Sequence, residues 1–301
     1  MSRENVERIR REWKESDARR DAGLTVPEDL KRFIDLKYGP YEENLLDVYA
    51  PIDTEGMLPT IISIHGGGWV YGDKELYSHY CMKLAQRGFA VVNFTYRLAP
   101  EHRYPAALED CFAVFSWVKQ HHEEYHIDYD NLFVLGDSAG GQLTHQCMTI
   151  LTNPDYRKLF DLEVPEDFKI NACALNCGVY SFGVNRFFKP SDSTMMADYL
   201  PENYKDYMKQ YAVVRNMTKD FPPAFVMTAY HDFLKFMAKP LYRKLKRLGV
   251  ETEYHIYGSK EQKEIGHVFH LDCRSEIADK CNDEECEFFR KYLKKINEPV
   301  N

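Results

Sequence analysis

Residues 136–140 read Gly-Asp-Ser-Ala-Gly. A serine with a glycine two positions away on either side suits nucleophilic attack on an acyl carbon. Its hydroxyl is a weak nucleophile until a neighbouring base takes the proton. The apolar run Leu132–Leu135 lies just before it, and a helix-forming stretch from Ala139 to Leu151 follows. That order of strand, turn and helix is the context in which GxSxG holds its serine on a strained turn. Side chains at 136 and 140 would collide with neighbouring elements, and glycine removes the collision. The helix starting at Ala139 points its first amides and its positive dipole end at Ser138. The plainer alternative is a structural turn with a spare serine, which the flanking pattern argues against.

A second motif, His65-Gly66-Gly67-Gly68-Trp69, follows the apolar run Thr60–His65. Consecutive glycines at a strand end expose backbone N–H groups and let a ligand approach the main chain. Attack on an ester or amide creates a negatively charged oxygen that such amides stabilise. Loss of one donor of this kind costs about 2.7–4 kcal/mol. No Gly-Lys-Ser/Thr follows, which argues against a phosphate-binding loop. His65 precedes the glycines and is read as orienting the loop by hydrogen bonding, not as a base.

These motifs need a scaffold, and the chain supplies one. Apolar strand-like runs recur at 44–49, 60–65, 89–96, 132–135, 172–176, 224–228 and 253–257. Helical patterns lie between most of them, at 77–87, 106–120, 139–151, 234–248 and 276–295. Residues 3–20 are charged helix formers, and 27–36 (PEDLKRFIDL) predict a short second helix with Pro27 near its start. Continuous apolar strands alternating with helices predict an α/β fold with a mainly parallel sheet covered on both faces. Residues 180–220 are too long for an ordinary loop. Their Met and Tyr residues suit surface helices, a lid bordering the cleft, or both.

Three motifs together (HGGGW, YRLAPEHRYPAALED at 96–110, and GDSAGG at 136–141) resemble the hormone-sensitive-lipase-like group of α/β-hydrolases over roughly residues 40–270. The resemblance implies one α/β-hydrolase domain over 1–301, with a twisted, mainly parallel sheet. It implies a small helical cap from about 1–38 and 180–220. It implies a carboxylesterase acting on short acyl chains, some members of the group instead deacetylating sugars or arylamides. Gly67, Gly68 and Ala139 would then donate the oxyanion amides. The stretch around Arg97, Glu101 and Tyr104 would be a structural ion-pair and turn region. No cofactor and no metal are implied.

In α/β-hydrolases the acid and the histidine follow the serine in that order. Asp232 stands after the strand-like run 224–228, at the carboxyl end where such sheets carry their sites. His267 stands after the next run, 253–257. His267 would take the Ser138 proton and return it to the leaving group, while Asp232 holds the imidazole. His270, His231 and Asp272 are competitors. Two departures from the group's pattern occur here. Phe233 and Phe236 replace a usual Pro and a second Asp, and the loop 258–266 is longer and more charged. Bulky Trp69 and Tyr71 are expected to crowd the substrate site and favour short acyl groups.

Composition narrows the rest. The formal charge of −8 argues against a nucleic-acid partner. The first twenty residues lack an apolar signal core, and no run of about 18 apolar residues predicts a membrane span. Eight cysteines without a CxxC pair read as reduced, buried thiols of a cytoplasmic protein. The HHEEYH cluster at 121–126 lacks HExxH spacing and reads as a solvated helix end. The expected partner is a small ester, and a homodimer is left open. The rival class is a ligand-binding protein on the hydrolase fold that has lost its histidine; His267 argues against it.

Overall fold

The computed structural model describes residues 3–181 and 194–294. Eight strands run β1 (Leu30–Lys37), β2 (Leu45–Pro51), β3 (Leu58–Ile64), β4 (Ala90–Phe94), β5 (Ile127–Asp137), β6 (Ala172–Asn176), β7 (Ala224–Ala229) and β8 (Thr252–Tyr257). They form one sheet in the order β1-β2-β4-β3-β5-β6-β7-β8. The β1–β2 and β2–β4 pairs are antiparallel, and all later pairs are parallel. The expected α/β-hydrolase architecture is therefore the one observed.

The long helices are α1 (Arg3–Asp21), α2 (Lys74–Ala85), α3 (Ala106–His121) and α4 (Ala139–Thr152). Short helices follow, α5 (Pro154–Arg157), α6 (Thr194–Tyr199), α7 (Met208–Tyr211) and α8 (Val213–Asn216). Two long ones close the chain, α9 (Lys235–Leu248) and α10 (Glu276–Arg290). The two faces of the sheet feed two separate apolar cores. Ile62, Ile64, Val92 and Phe94 pack with α3 and α4 on one side. Ile61, Val91, Phe133 and Leu135 pack with α2 and α10 on the other. Successive strand residues point to opposite faces, so a strand buried on both sides must be apolar at nearly every position.

One expected element is corrected. Residues 30–37 form edge strand β1, not a helix. Phe33 pairs with Val48 and Leu36 with Leu46, with a bulge between them. The extra residue sets Phe33 and Leu36 on the same face, where both pack on the α3/α4 core. A bulged strand thus imitates the i, i+3 spacing of a helix. Of the segment 180–220, residues 182–193 lie outside the described residues; the rest contributes α6, α7 and α8. No helix among the described residues is long and apolar enough to cross a membrane.

Candidate active site

Strand β5 ends at Asp137, and α4 begins at Ala139. Ser138 alone makes the turn, with φ 52° and ψ −113°. A non-glycine residue there is strained, and the surroundings must hold it. They do so tightly. A Cβ at Gly136 would lie 2.4 Å from the carbonyl oxygen of Gly140, and one at Gly140 would lie 2.0 Å from that of Ile64. The Ser138 N–H donates to the carbonyl of Asn176 at the end of β6 (2.9 Å).

The two later loops bring their residues to this turn. His267 Nε2 lies 3.0 Å from Ser138 Oγ. His267 Nδ1 lies 2.8 Å from Asp232 Oδ1, which fixes Nδ1 as the protonated nitrogen. Asp232 is buried and also accepts from Thr228 Oγ1 (2.7 Å) and the Leu234 N–H (2.9 Å). Burial works to raise its pKa, but bonds and charge from His267 and those two donors together hold the carboxyl below its ordinary range. The competitors fall elsewhere. His231 Nε2 rests on the Lys260 carbonyl. His270 is buried, and desolvation pushes its imidazole down to about 3. Asp272 accepts from the Arg274 N–H.

The glycine loop faces the same point. The Gly66 N–H donates to Tyr77 Oη (2.8 Å), and Tyr77 Oη donates to Asp137 Oδ2 (2.9 Å). Gly67 and Gly68 have φ of +105° and +59°. Ala139 opens α4, so its N–H has no partner within the helix. Desolvation pushes the carboxyl of Asp137 up to about 7. His65 donates from Nδ1 to the Gly66 carbonyl (2.7 Å) and stacks on Tyr96 with ring centroids 3.9 Å apart. Burial pushes this imidazole down to about 4, so it stays neutral beneath the loop.

A cavity of about 270 Å³ opens onto Ser138. Its walls are Gly66–Gly68, Tyr71, Phe233, His267 and Leu271 from the sheet side, Trp13, Ser16, Asp17 and Arg20 from α1, and Met195 from α6. Tyr71 Oη donates to Asp17 Oδ2 (2.7 Å), and Arg20 binds both Asp17 and Asp21. The α1 residues gave no local signal in the sequence, because their place depends on how that helix crosses the sheet edge. Trp69 is corrected: it is not among the lining residues. With φ 62° its buried side chain turns to the core, donates to Gln142 Oε1 (3.0 Å) and stacks on Tyr199.

Around Arg97 the ion pairs are with Asp110 and Glu109, whereas Glu101 binds Arg10 of α1. Cys177 joins Asp232 and His267 in a cluster whose donor atoms lie within 4.8 Å of one another. Burial, and then the charge of Asp232, raises the Cys177 thiol well above its ordinary value. A protonated thiol beside a histidine and carboxylate already bonded to each other is a poor cation cage.

A strained serine at a strand-to-helix turn of a mostly parallel sheet, with an imidazole and a buried carboxylate in line, defines a class of protein. Residues 61–271 match the family described as alpha/beta hydrolase fold, and the chain belongs to that family. A probable carboxylic ester hydrolase, LipM, of Mycobacterium tuberculosis is 29% identical over 221 residues, 70% of this chain and 50% of the relative. The chain therefore spans half the length of that relative. An acetyl esterase of Salmonella dublin is 26% identical over 269 residues, 85% of this chain and 78% of the relative. Among solved structures, esterase B from Lactobacillus rhamnosis superposes with a TM-score of 0.83 at 26% identity, over 95% of this chain and 94% of that one. The same esterase has been solved inhibited by a C4-C4 SN3 tributyrin phosphonate.

Proposed function

We propose that the protein is a serine carboxylesterase that hydrolyses short-chain carboxylic esters through an acyl-enzyme. The observation that carries this reading is the line Ser138 Oγ–His267 Nε2 at 3.0 Å and His267 Nδ1–Asp232 Oδ1 at 2.8 Å. Ser138 Oγ attacks the acyl carbon as His267 takes its proton. The same proton passes to the leaving alcohol when the tetrahedral adduct collapses. Water, deprotonated by His267, then attacks the acyl-enzyme and frees the acid. Asp232 holds the imidazole and stabilises its cationic form. The amides of Gly67, Gly68 and Ala139 stabilise the oxyanion. The relatives named for ester hydrolysis support this chemistry.

The short acyl range rests on the cavity, whose 270 Å³ lies just below the ~300–1,000 Å³ of pockets for drug-sized ligands. Helix α1 and the 194–216 segment act as the cap over it. Eight free cysteines, seven of them buried, suit a reducing cytoplasm. A deacetylase of carbohydrates uses the same triad, and the acetyl esterase relative favours acetyl as the acyl group.

The experiment is a chain-length series of nitrophenyl esters, with acetylated xylan and arylacetamides alongside, and the Ser138→Ala variant as control. Turnover is expected to peak between about two and six carbons and to fall ~10⁴–10⁶-fold in the variant. Near-native turnover in Ser138→Ala overturns the reading.

A further inference from the structure

Helix α10 carries an acid where an apolar residue belongs. Its buried stripe is Ala278, Cys281, Asn282, Glu285, Cys286, Phe288 and Phe289, and it packs into the core on the α2 side of the sheet. Glu285 is 1% exposed. A carboxyl at such a depth is costly unless it is bonded. Desolvation pushes it up to about 7, opposed by the hydrogen bond from Asn176 and by the charge of Arg87.

Its partner stands next to the reaction centre. Asn176 Nδ2 donates to Glu285 Oε2 at 2.6 Å. Asn176 is the last residue of β6 and pairs in register with Asp137. Its own carbonyl accepts the Ser138 N–H at 2.9 Å. A continuous path therefore runs from the Glu285 carboxyl through the Asn176 side chain and main chain to the backbone of the strained turn. Among the described residues the Asn176 side chain makes no other hydrogen bond, and its Oδ1 is buried without a partner. The carboxyl at 285 is what fixes the Asn176 side chain in place.

We infer that Glu285 is a positioning residue for Ser138, acting through Asn176 to hold the carbonyl that anchors the serine N–H. The inference rests on the reading of Ser138 as nucleophile. Without that acceptor the Asn176 amide must seek another partner, and the end of β6 shifts with it. A displacement of the hydroxyl by a fraction of an ångström lengthens the 3.0 Å bond to His267. Such a loss acts on the chemical step and leaves ester binding in the cavity largely alone.

The test compares native protein with Glu285→Gln, Glu285→Met and Glu285→Ala. Each is titrated with a fluorophosphonate to count reactive sites, then assayed for kcat, KM, the phosphonylation rate and Tm. The Gln side chain keeps an acceptor for Asn176 Nδ2, and Met fills the volume without one. Glu285→Met and Glu285→Ala are expected to lose roughly 10–100-fold in kcat per titrated site and in phosphonylation rate, with KM within about two-fold. Glu285→Gln is expected to stay within about three-fold of native, since the neutral hydrogen bond survives. If Met or Ala variants lower Tm but keep native kcat per site, the residue is merely structural and the inference falls. It falls equally if Gln loses as much as Met. Should native protein take up no fluorophosphonate at Ser138, the nucleophile reading itself fails, which is a different outcome from equal labelling of native and variant.

Discussion

The ring of Phe233 rests on the imidazole of His267, with centroids 4.4 Å apart and planes inclined by 48°, while the Phe233 residue itself is 66% exposed. So exposed an aromatic ring contributes little to folding stability. Its place suggests work at the site, shielding one face of the proposed base and forming one wall of the cavity. Phe233→Ala is expected to leave Tm within about 1–2 °C, as surface substitutions usually change stability by under ~0.5 kcal/mol. It is expected to lower kcat/KM by roughly 3–10-fold, the equivalent of about 0.6–1.4 kcal/mol. Steady-state kinetics beside a thermal melt checks this. A large drop in Tm with unchanged kinetics refutes it.

Asp232 bonds two groups besides the imidazole, and the three bonds differ in what their loss should do. Asp232→Asn leaves the geometry near native but favours the wrong histidine tautomer. A fall in kcat of about 10⁴ is expected, by analogy with the corresponding change in other triads. Thr228→Val removes one donor to Oδ2 and keeps the shape, so a smaller loss, roughly ten-fold, is expected. The carboxyl of Asp232 is held low in the folded chain, so its contribution to stability is present above the ordinary carboxylate range. That contribution is lost as pH falls through the lowered value. A native-like kcat in Asp232→Asn would remove it from the triad.

Much of this was legible in the sequence, and what was not has physical causes. The turn at Ser138 announces itself because its glycines are demanded by contacts as short as 2.0 Å, which leave no chemical choice. Asp232 and His267 follow from strand ends, since a parallel sheet collects its carboxyl edges at one place. Strand β1 misleads because its bulge resets the side-chain alternation. Trp69 misleads because a positive φ reverses the direction its side chain takes from the loop. Trp13, Asp17 and Arg20 of α1 reach the cavity by long-range packing, which local patterns do not encode. Glu285 left a trace, an acid on an otherwise apolar helical stripe, that strand-end reasoning does not look for.

The glycine loop offers a contrast between neighbours. At Gly67, where φ is +105°, a Cβ would sit 1.9 Å from the backbone oxygen of Tyr71, and a backbone cannot step aside cheaply. At Gly68, where φ is +59°, the added atom would meet the Met195 Sδ at 2.7 Å, the end of a flexible side chain. Gly68→Ala is therefore expected to fold with a loss of about 1–2 kcal/mol from the left-handed backbone alone. Its kcat should fall by about 10²-fold if the loop amides stabilise an oxyanion. Gly67→Ala is expected to lose far more stability and to yield little soluble protein. Chemical denaturation of both variants with parallel kinetics decides the matter, and equal stabilities would contradict the contact geometry.

Acid should unfold this protein through histidines that take no part in the chemistry. Desolvation pushes His65 down to about 4 and His145 and His270 down to about 3, from an ordinary value of 6.5. All three are fully buried and neutral in the folded chain. In the unfolded chain each takes up a proton below pH ~6.5. The unfolded state then binds more protons, so stability rises with pH across this window and is lost as pH falls from 6.5 toward 3–4. Asp137 and Glu285, both pushed up to about 7, act in the opposite sense over part of the same range. The histidine share is isolated by substitution. His145 has Met217 Sδ as its hydrogen-bond partner and stands apart from the triad. His145→Gln, neutral at every pH, is expected to be less stable than native protein at pH 7.5 because its packing is poorer. That deficit should shrink steadily as pH falls from 6.5 to 4.5, since the variant has no proton to gain on unfolding. Urea titrations at several pH values measure the difference directly. A deficit that stays constant with pH would show that the buried imidazole at 145 is not excluded from protonation.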